Sequence, residues 1–310
     1  MMTVDQFAKH FDLAWLAQNS QAADIIAACK TAAKYKVNSV NVNSCWAELA
    51  KKELEGTGVG PSAVIAFPYG ACISKVKYLE LEEMVNLGCT ACDMVVNIGA
   101  LKDKNYALVT EEIKKFVEIC KPANCDTKLI FEVGFLTDEE IATLTKICCE
   151  QGVTYVKTAT GSQAFPSMQQ VEIMKANLSG DTKIKVSGVP RTFTLAAAMF
   201  MFDHMGVSLI GTRSAGKIVE EGSCVDLLKT PMHPYTQGLL KCLPRVDDVR
   251  ETLDTIEGQI PDGASLPQGC YFHPRCPLCT ERCKRERPSL RQVGERKVAC
   301  HLVGSEEVRA

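Results

Sequence analysis

Short runs of apolar, often β-branched residues alternate with longer amphipathic stretches over the first two thirds of the chain. The stretches carry apolar residues at helical spacing and predict helices at Ala22–Tyr35, Ser74–Leu87, Tyr106–Cys120 and Asp138–Gln151. The short runs predict eight strands, at His10–Leu16, Ser39–Asn43, Ala63–Phe67, Asp93–Ile98, Lys128–Val133, Tyr155–Thr158, Ile184–Ser187 and Leu209–Thr212. Strand–helix alternation implies a parallel sheet, and eight such units can close on themselves. We therefore predict an α/β fold, a (β/α)8 TIM barrel.

The alternation stops after Gly216, where prolines and glycines begin to interrupt every segment. A barrel of this kind takes roughly 200 to 250 residues, so the 310 residues leave room for an appendage. We predict a barrel domain over residues 1–216 and a small, irregular, cysteine-rich domain over residues 217–310.

Composition limits the function classes. Hydrophobic residues make up 46% of the chain and the formal charge is −2, so a nucleic-acid partner is not indicated. The first residues do not resemble a signal peptide, and no apolar run is long enough to span a bilayer, so we expect a cytoplasmic protein without direct membrane insertion. In that compartment the sixteen cysteines would be buried hydrophobes, metal ligands or reactive thiols rather than disulfides.

Two lysines lie within predicted strands, Lys157 in the sixth and Lys185 in the seventh, and Asp93 opens an earlier strand. Barrel active sites lie where the strands end. A single strand lysine is equally well explained by a side chain that reaches to solvent. Two lysines on adjacent strands favour chemistry, because a neighbouring cation and desolvation both depress an ammonium pKa and leave one amine nucleophilic. This is the requirement for Schiff-base formation, and Asp93 could shuttle the protons.

Five motifs, in this order, resemble those of deoxyribose-phosphate aldolase, and the similarity runs from about Phe11 to Ser214. The motifs are Ala-Phe-Pro-Tyr-Gly at 66–70, Cys-Asp-Met-Val-Val-Asn-Ile-Gly at 92–99, Lys-Thr-Ala-Thr-Gly at 157–161, Lys-Val-Ser-Gly at 185–188 and Ile-Gly-Thr at 210–212. The resemblance implies reversible cleavage of 2-deoxy-D-ribose 5-phosphate to glyceraldehyde 3-phosphate and acetaldehyde, in deoxyribonucleotide catabolism. It implies a small phosphorylated sugar as substrate and no cofactor, and it is compatible with a homo-oligomer.

The same resemblance assigns roles to individual residues. It implies that Lys157 forms the Schiff base, that Lys185 is the cation that activates it, that Asp93 belongs to the proton relay and that Asp12 lies near the second lysine. Phosphate would be held by backbone N–H groups at the late strand ends. The candidates for this phosphate site are Gly161, Gly188, Gly211, Thr212 and Ser214.

The chain departs from the family pattern at three positions. Val189 stands where the family has the second glycine of a pair, and its Cβ would restrict close backbone approach to phosphate. Arg213 replaces a small polar residue, and Ala14 replaces a threonine of the first strand.

Five cysteines crowd into 31 residues of the tail, at Cys270, Cys276, Cys279, Cys283 and Cys300. Core packing explains such crowding poorly, and a metal site is favoured. The spacing does not choose between zinc and an iron–sulfur cluster, both of which take four thiolates. The other eleven cysteines lie within residues 1–242 and are interpreted as scattered, without mutual spacing.

The tail also resembles a known family, the C-terminal extension of oligopeptide/dipeptide ABC-transporter ATP-binding proteins. The matching stretches are Gly-Lys-Ile-Val-Glu-Glu-Gly at 216–222, His-Pro-Tyr-Thr at 233–236, Gly-Gln-Ile-Pro at 258–261, Gly-Cys-Tyr-Phe-His-Pro-Arg-Cys-Pro at 269–277 and Val-Ala-Cys-His at 298–301. The resemblance implies that Cys270, Cys276, Cys283 and Cys300 hold a four-iron four-sulfur cluster. It does not predict an ATPase, because the near-match to a phosphate-binding loop has Ile218 where Mg²⁺ needs a hydroxyl.

Three hypotheses follow. The first is a deoxyribose-phosphate aldolase with a passive tail. The second is a transporter-associated iron–sulfur or interaction module carried on an inactive barrel. The third keeps the lysine chemistry but changes the substrate to another phosphorylated aldehyde or ketose.

Overall fold

The computed structural model describes residues 4–162, 165–188, 195–212, 220–221, 230–241, 256–258, 267–294 and 296–304. The chain divides into two compact units, Met1–Gly216 and Lys217–Ala310. No helix among the described residues is both long enough and apolar enough to cross a bilayer.

The first unit is a closed barrel of eight parallel strands in sequential order, so the predicted TIM barrel is confirmed. Its strands are β1 Phe11–Trp15, β2 Ser39–Asn43, β3 Gly60–Ile65, β4 Ala91–Val95, β5 Asp126–Ile130, β6 Tyr155–Lys157, β7 Lys183–Val186 and β8 Val207–Thr212. The barrel closes because β1 pairs with β8, with Phe11 opposite Ile210. Strands buried on both faces read as near-continuous apolar runs, which is why their existence could be predicted.

The strand containing Asp93 was predicted with wrong bounds. Asp93 does not open it but lies in the middle of β4, because Ala91 and Cys92 already pair with β3. Ile98, predicted as the end of this strand, instead begins a helix. The hydrophobic pattern predicted the wrong end because apolar residues continue to Ile98, beyond the last residue of β4, Val95.

The helices of this unit cover the barrel and contribute the other side of its core. Thr137 and Glu140 form a capping box that fixes the start of the helix at Asp138. Gly152 ends that helix in the left-handed conformation. The helices are α1 Val4–Ala8, α2 Ala22–Tyr35, α3 Ala47–Leu54, α4 Ser74–Leu87, α5 Ile98–Lys102, α6 Tyr106–Cys120, α7 Asp138–Gln151, α8 Met168–Ala176 and α9 Leu195–His204. The four helices predicted from sequence have these same bounds.

The second unit contains little regular structure among its described residues. Three short strands, Glu220–Glu221 (β9), Arg291–Val293 (β10) and Arg296–Val298 (β11), form an antiparallel sheet with β11 in the centre. Two helices, Pro234–Lys241 (α10) and Glu281–Arg285 (α11), accompany it. Tyr235 donates its backbone N–H to His233 Nδ1 at 3.0 Å, so His233 caps the start of α10.

Candidate active site

Five charged side chains fill the interior of the barrel. Asp93 and Lys128 are direct partners across β4 and β5, and Lys157 and Lys185 are direct partners across β6 and β7. Lys157 pairs with Ile130, two residues beyond Lys128, so the second pair lies one layer closer to the carboxyl ends of the strands. Since alternate strand residues face the same side, both layers point inward.

Asp93 joins the two layers. Its Oδ2 atom accepts hydrogen bonds from Lys157 Nζ at 2.7 Å, Lys185 Nζ at 2.8 Å and Asn41 Nδ2 at 2.9 Å. Its Oδ1 atom accepts from the Ser62 hydroxyl at 3.3 Å. The carboxylate therefore bridges two amines whose separation along the sequence gave no sign of a shared partner.

Asp12 anchors the other side of the cluster. Its Oδ2 atom accepts from Lys185 Nζ at 2.7 Å and from Lys128 Nζ at 2.8 Å, while Oδ1 accepts from Asn38 and Ser39. Lys128, which is fully buried, was not among the site residues predicted from the sequence. The signal was available, because Lys128 is also a lysine within an apolar strand.

Burial and charge set the protonation of the cluster. Burial would raise the pKa of Asp93, but Lys157, Lys185 and Lys128 outweigh it and hold that pKa well below its usual range. The pKa of Asp12 is lowered in the same way, mainly by Lys128 and Lys185 acting against burial. Burial lowers the pKa of Lys185 to about 8, whereas Asp12 and Asp93 outweigh burial at Lys128 and raise its pKa.

The charge count favours one neutral amine. Three lysines face two carboxylates that stay ionised, so full protonation would leave one uncompensated positive charge in a buried site. Lys185 is the amine with the lowered pKa. Its lost proton can be replaced from Lys157, since both amines donate to the same Asp93 oxygen.

Lys157 is the lysine of this cluster that a substrate can reach. It is the last residue of β6 and retains 2% exposure, whereas Lys128 and Lys185 have none. The turn that follows is held by Glu132, whose Oε2 accepts from the Thr160 N–H at 3.1 Å. Glu132 is buried and adopts a left-handed backbone conformation with φ 54°, a sparsely populated state for a residue with a Cβ.

Three of the predicted phosphate-site glycines lie together. A Cβ on Gly161 would come within 3.3 Å of Gly188 Cα, and both glycines have positive φ. Gly211 packs against Ser187, the residue before Gly188. Thr212 is the last residue of β8 and pairs with Leu13. Ser214, Val189 and Arg213 lie outside the described residues.

The close approach at Gly211 gives a stability prediction. A Cβ there would lie 2.3 Å from Ser187 Oγ and 3.5 Å from Lys185 Cε. We expect Gly211→Ala to destabilise the barrel by about 1–3 kcal/mol through overpacking, measured by urea unfolding.

A double-mutant cycle isolates the cause of that loss. Within the part of the chain that the structure describes, the buried Ser187 Oγ has no hydrogen-bond partner, so Ser187→Ala removes the clashing atom at little cost. The variant carrying both substitutions should regain most of the stability lost in Gly211→Ala. Simple additivity of the two effects would contradict the contact as the cause.

The four predicted tail ligands are partly or fully enclosed. Cys283 and Cys300 are buried, and Cys270 and Cys276 are half-buried. Burial raises the pKa of the Cys276 thiol, and Cys300, Cys270 and Cys283 add to that rise, so the four sulfurs lie within electrostatic range of one another. Among the described residues, however, no three of these four sulfurs come within 4.8 Å of each other.

Comparison with known proteins finds two family models. The DeoC/LacD family aldolase model matches residues 1–200, and the model of the oligopeptide/dipeptide transporter C-terminal region matches residues 219–283.

Individual relatives match the first of these regions. The deoxyribose-phosphate aldolase of Mycoplasma capricolum is 36% identical over 213 residues, covering 68% of this chain and 93% of that protein. The deoxyribose-phosphate aldolase of Streptococcus pneumoniae is 37% identical over 221 residues, covering 70% and 97%. The solved structure of the aldolase QR15 superposes with a TM-score of 0.64 at 30% identity, over 70% of this chain and 95% of that one.

Proposed function

This chain belongs to the DeoC/LacD family of aldolases, and on that premise we propose that it is a lyase that reversibly cleaves 2-deoxy-D-ribose 5-phosphate into glyceraldehyde 3-phosphate and acetaldehyde. One observation carries the chemistry: Lys157 and Lys185 donate to a single oxygen of Asp93 in a buried site where the lysines outnumber the carboxylates. The reaction needs no cofactor.

The first step is activation of Lys157. Near neutral pH a fraction of the Lys185 amine is neutral, because burial has lowered its pKa to about 8. The neutral amine of Lys185 then takes a proton from Lys157 through the shared Asp93 oxygen. Because Asp93 is so strongly ionised, it holds the proton only in transit and serves as a conduit between two amines rather than as the final base.

The neutral Nζ of Lys157 attacks the C1 aldehyde and forms a carbinolamine. A proton returned from Lys185 through Asp93 lets the hydroxyl leave as water, which yields a protonated imine. The C3 hydroxyl gives its proton to the now neutral Lys185 through Asp93, the C2–C3 bond breaks and its electron pair passes into the imine to give an enamine. Glyceraldehyde 3-phosphate departs, the same proton is returned to C2 to restore the imine, and water releases acetaldehyde and the free amine.

The phosphate lies, in this proposal, at the turns of Gly161 and Gly188 and at the end of β8 at Gly211, with Thr212 and Ser214 as further donors. The support is the close approach of the first two turns to each other beside the lysine layer. Backbone N–H groups there bind an anion without adding a cation that would disturb the amines.

Borohydride trapping tests the proposed function. Reduction in the presence of 2-deoxyribose 5-phosphate should fix the imine covalently, and peptide mapping should place the adduct on Lys157. A panel of other phosphorylated aldehydes and ketoses, run in parallel, addresses the alternative substrates. Folded protein that forms no adduct with any of them would refute Schiff-base chemistry.

The tail contributes no group to this reaction in our proposal. We propose that Cys270, Cys276, Cys283 and Cys300 hold a four-iron four-sulfur cluster. A single zinc ion would draw its four sulfurs to roughly 3.8 Å from each other, since Zn–S bonds are about 2.3 Å. A cluster spreads its thiolates more widely, because each binds a different iron. The proposal rests on the match of residues 219–283 to the transporter C-terminal region and on the mutual electrostatic influence of the thiols.

Other parts of the proposal follow from the sequence. A cytoplasmic location, a homo-oligomeric state and the absence of a nucleic-acid partner remain predictions. The transporter-associated module on an inactive barrel is not favoured, because the barrel carries the full set of charged residues that the aldolase reaction needs.

A further inference from the structure

Three cysteines of the barrel unit meet outside the catalytic cluster. The sulfurs of Cys92, Cys120 and Cys125 all lie within 4.8 Å of one another, and Cys92 Sγ and Cys125 Sγ are 3.8 Å apart. All three side chains are buried. Thiolates on one tetrahedral metal ion lie at about this separation, roughly 3.8 Å.

The three residues come from separate elements. Cys92 follows the alternation of β4 and points away from Asp93, out of the barrel interior and toward the helices. Cys120 ends α6, and Cys125 immediately precedes β5. Cys125 donates its backbone N–H to the Cys120 carbonyl at 3.2 Å, which closes a short loop between these two cysteines.

This grouping corrects the interpretation of the barrel cysteines as scattered. Cys89 and Cys92 are separated by two residues, and Cys120 and Cys125 by four. Such pairs are typical of structural zinc sites. Cys89 is also buried, with 5% exposure. Burial raises the pKa of the Cys89 thiol, and Cys125 lies close enough to add to that rise.

The donor set suits a borderline divalent ion. Three sulfur ligands converge in a buried site, and the Cys125 thiol donates to the Cys92 sulfur, so a bound ion would replace a weak thiol hydrogen bond by metal–thiolate bonds.

We propose that Cys92, Cys120 and Cys125 form a zinc-binding site, with Cys89 as the candidate fourth ligand, that ties β4 to the α6–β5 connection. The site is separate from the aldolase chemistry and from the tail cluster.

Zinc uptake by the full-length chain tests the site. The Cys276→Ser and Cys283→Ser substitutions are introduced together first, so that the tail does not compete for metal. We expect this chain to bind one zinc ion by native mass spectrometry. The affinity should rise with pH between 6 and 7.5, because each thiol that binds the ion releases its proton.

Two matched variants locate the ion. Cys125→Ala in the same background should weaken zinc binding at least a hundredfold, whereas Cys148→Ala, which removes a buried cysteine of α7 outside the group, should not change it. Circular dichroism shows whether each variant is folded. The proposal is overturned if the folded background chain binds no zinc, if binding does not depend on pH, or if Cys148→Ala weakens binding as much as Cys125→Ala. If Cys125→Ala does not fold, the stoichiometry and the pH dependence of zinc binding in the background chain still decide.

Discussion

Lys157→Met should abolish aldolase activity, with a loss in kcat of at least about 10⁴-fold, because no other amine of the cluster reaches the substrate side. The substitution should leave the fold intact, since it leaves two lysines opposite two aspartates and no unpaired buried charge. The measurement is cleavage of 2-deoxyribose 5-phosphate, followed by coupled reduction of the glyceraldehyde 3-phosphate released.

Borohydride trapping adds a second measurement for the same variant. Lys157→Met should form no adduct at any pH. Lys146→Ala, at an exposed position on α7, is the matched surface control and should keep both activity and adduct formation. An adduct that persists in Lys157→Met would transfer the nucleophilic role to Lys185 or Lys128.

Lys185→Met should lower kcat/KM at pH 7 by about a hundredfold without abolishing the reaction. In the unsubstituted chain the cluster loses a proton as pH rises through about 8, the lowered pKa of Lys185, so kcat/KM should rise with pH over this range. Without Lys185, Lys157 stays paired with Asp93 and has no neighbouring amine to take its proton. The rising limb of the profile should therefore move to higher pH.

The two methionine variants form a matched pair. Both remove one buried amine and leave two lysines opposite two carboxylates, so a purely structural effect would be similar in both. Lys185→Met should regain adduct formation on Lys157 when the pH is raised, and Lys157→Met should not. If kcat/KM in Lys185→Met were lowered by the same factor at every pH, with the rising limb of the profile at its original pH, a role of Lys185 in activating Lys157 would be contradicted.

The barrel could be predicted because its signals are local. Apolar strand runs, helical spacing and the capping residues at Thr137 each act over a few residues, and the four predicted helices have the bounds seen in the structure. The ends of the strands could not be predicted to the residue, because the hydrogen bonds that define them depend on the neighbouring strand. Asp93 shows this, since its place in mid-strand is set by pairing with β3 and β5.

The lysines at 157 and 185 could also be identified from sequence, because a lysine within an apolar strand is unusual. Lys128 carried the same signal, but it stood at the start of its predicted strand and was not interpreted as a site residue. The three barrel cysteines were missed for another reason. Their two pairs are separated by 27 residues, and only the packing of α6 against β4 and β5 brings the sulfurs together.

Local sequence signals were enough to predict a (β/α)8 barrel, two strand lysines and an acid, and a change of character after Gly216. The partners of these side chains follow only from the folded structure. It placed Lys185 between two carboxylates, gave Asp93 a single oxygen shared by two amines and left Lys157 as the lysine of the cluster with access to the substrate side. The physical reason is that side-chain type and strand position are local properties, whereas desolvation and charge balance depend on all eight strands closing around the same interior.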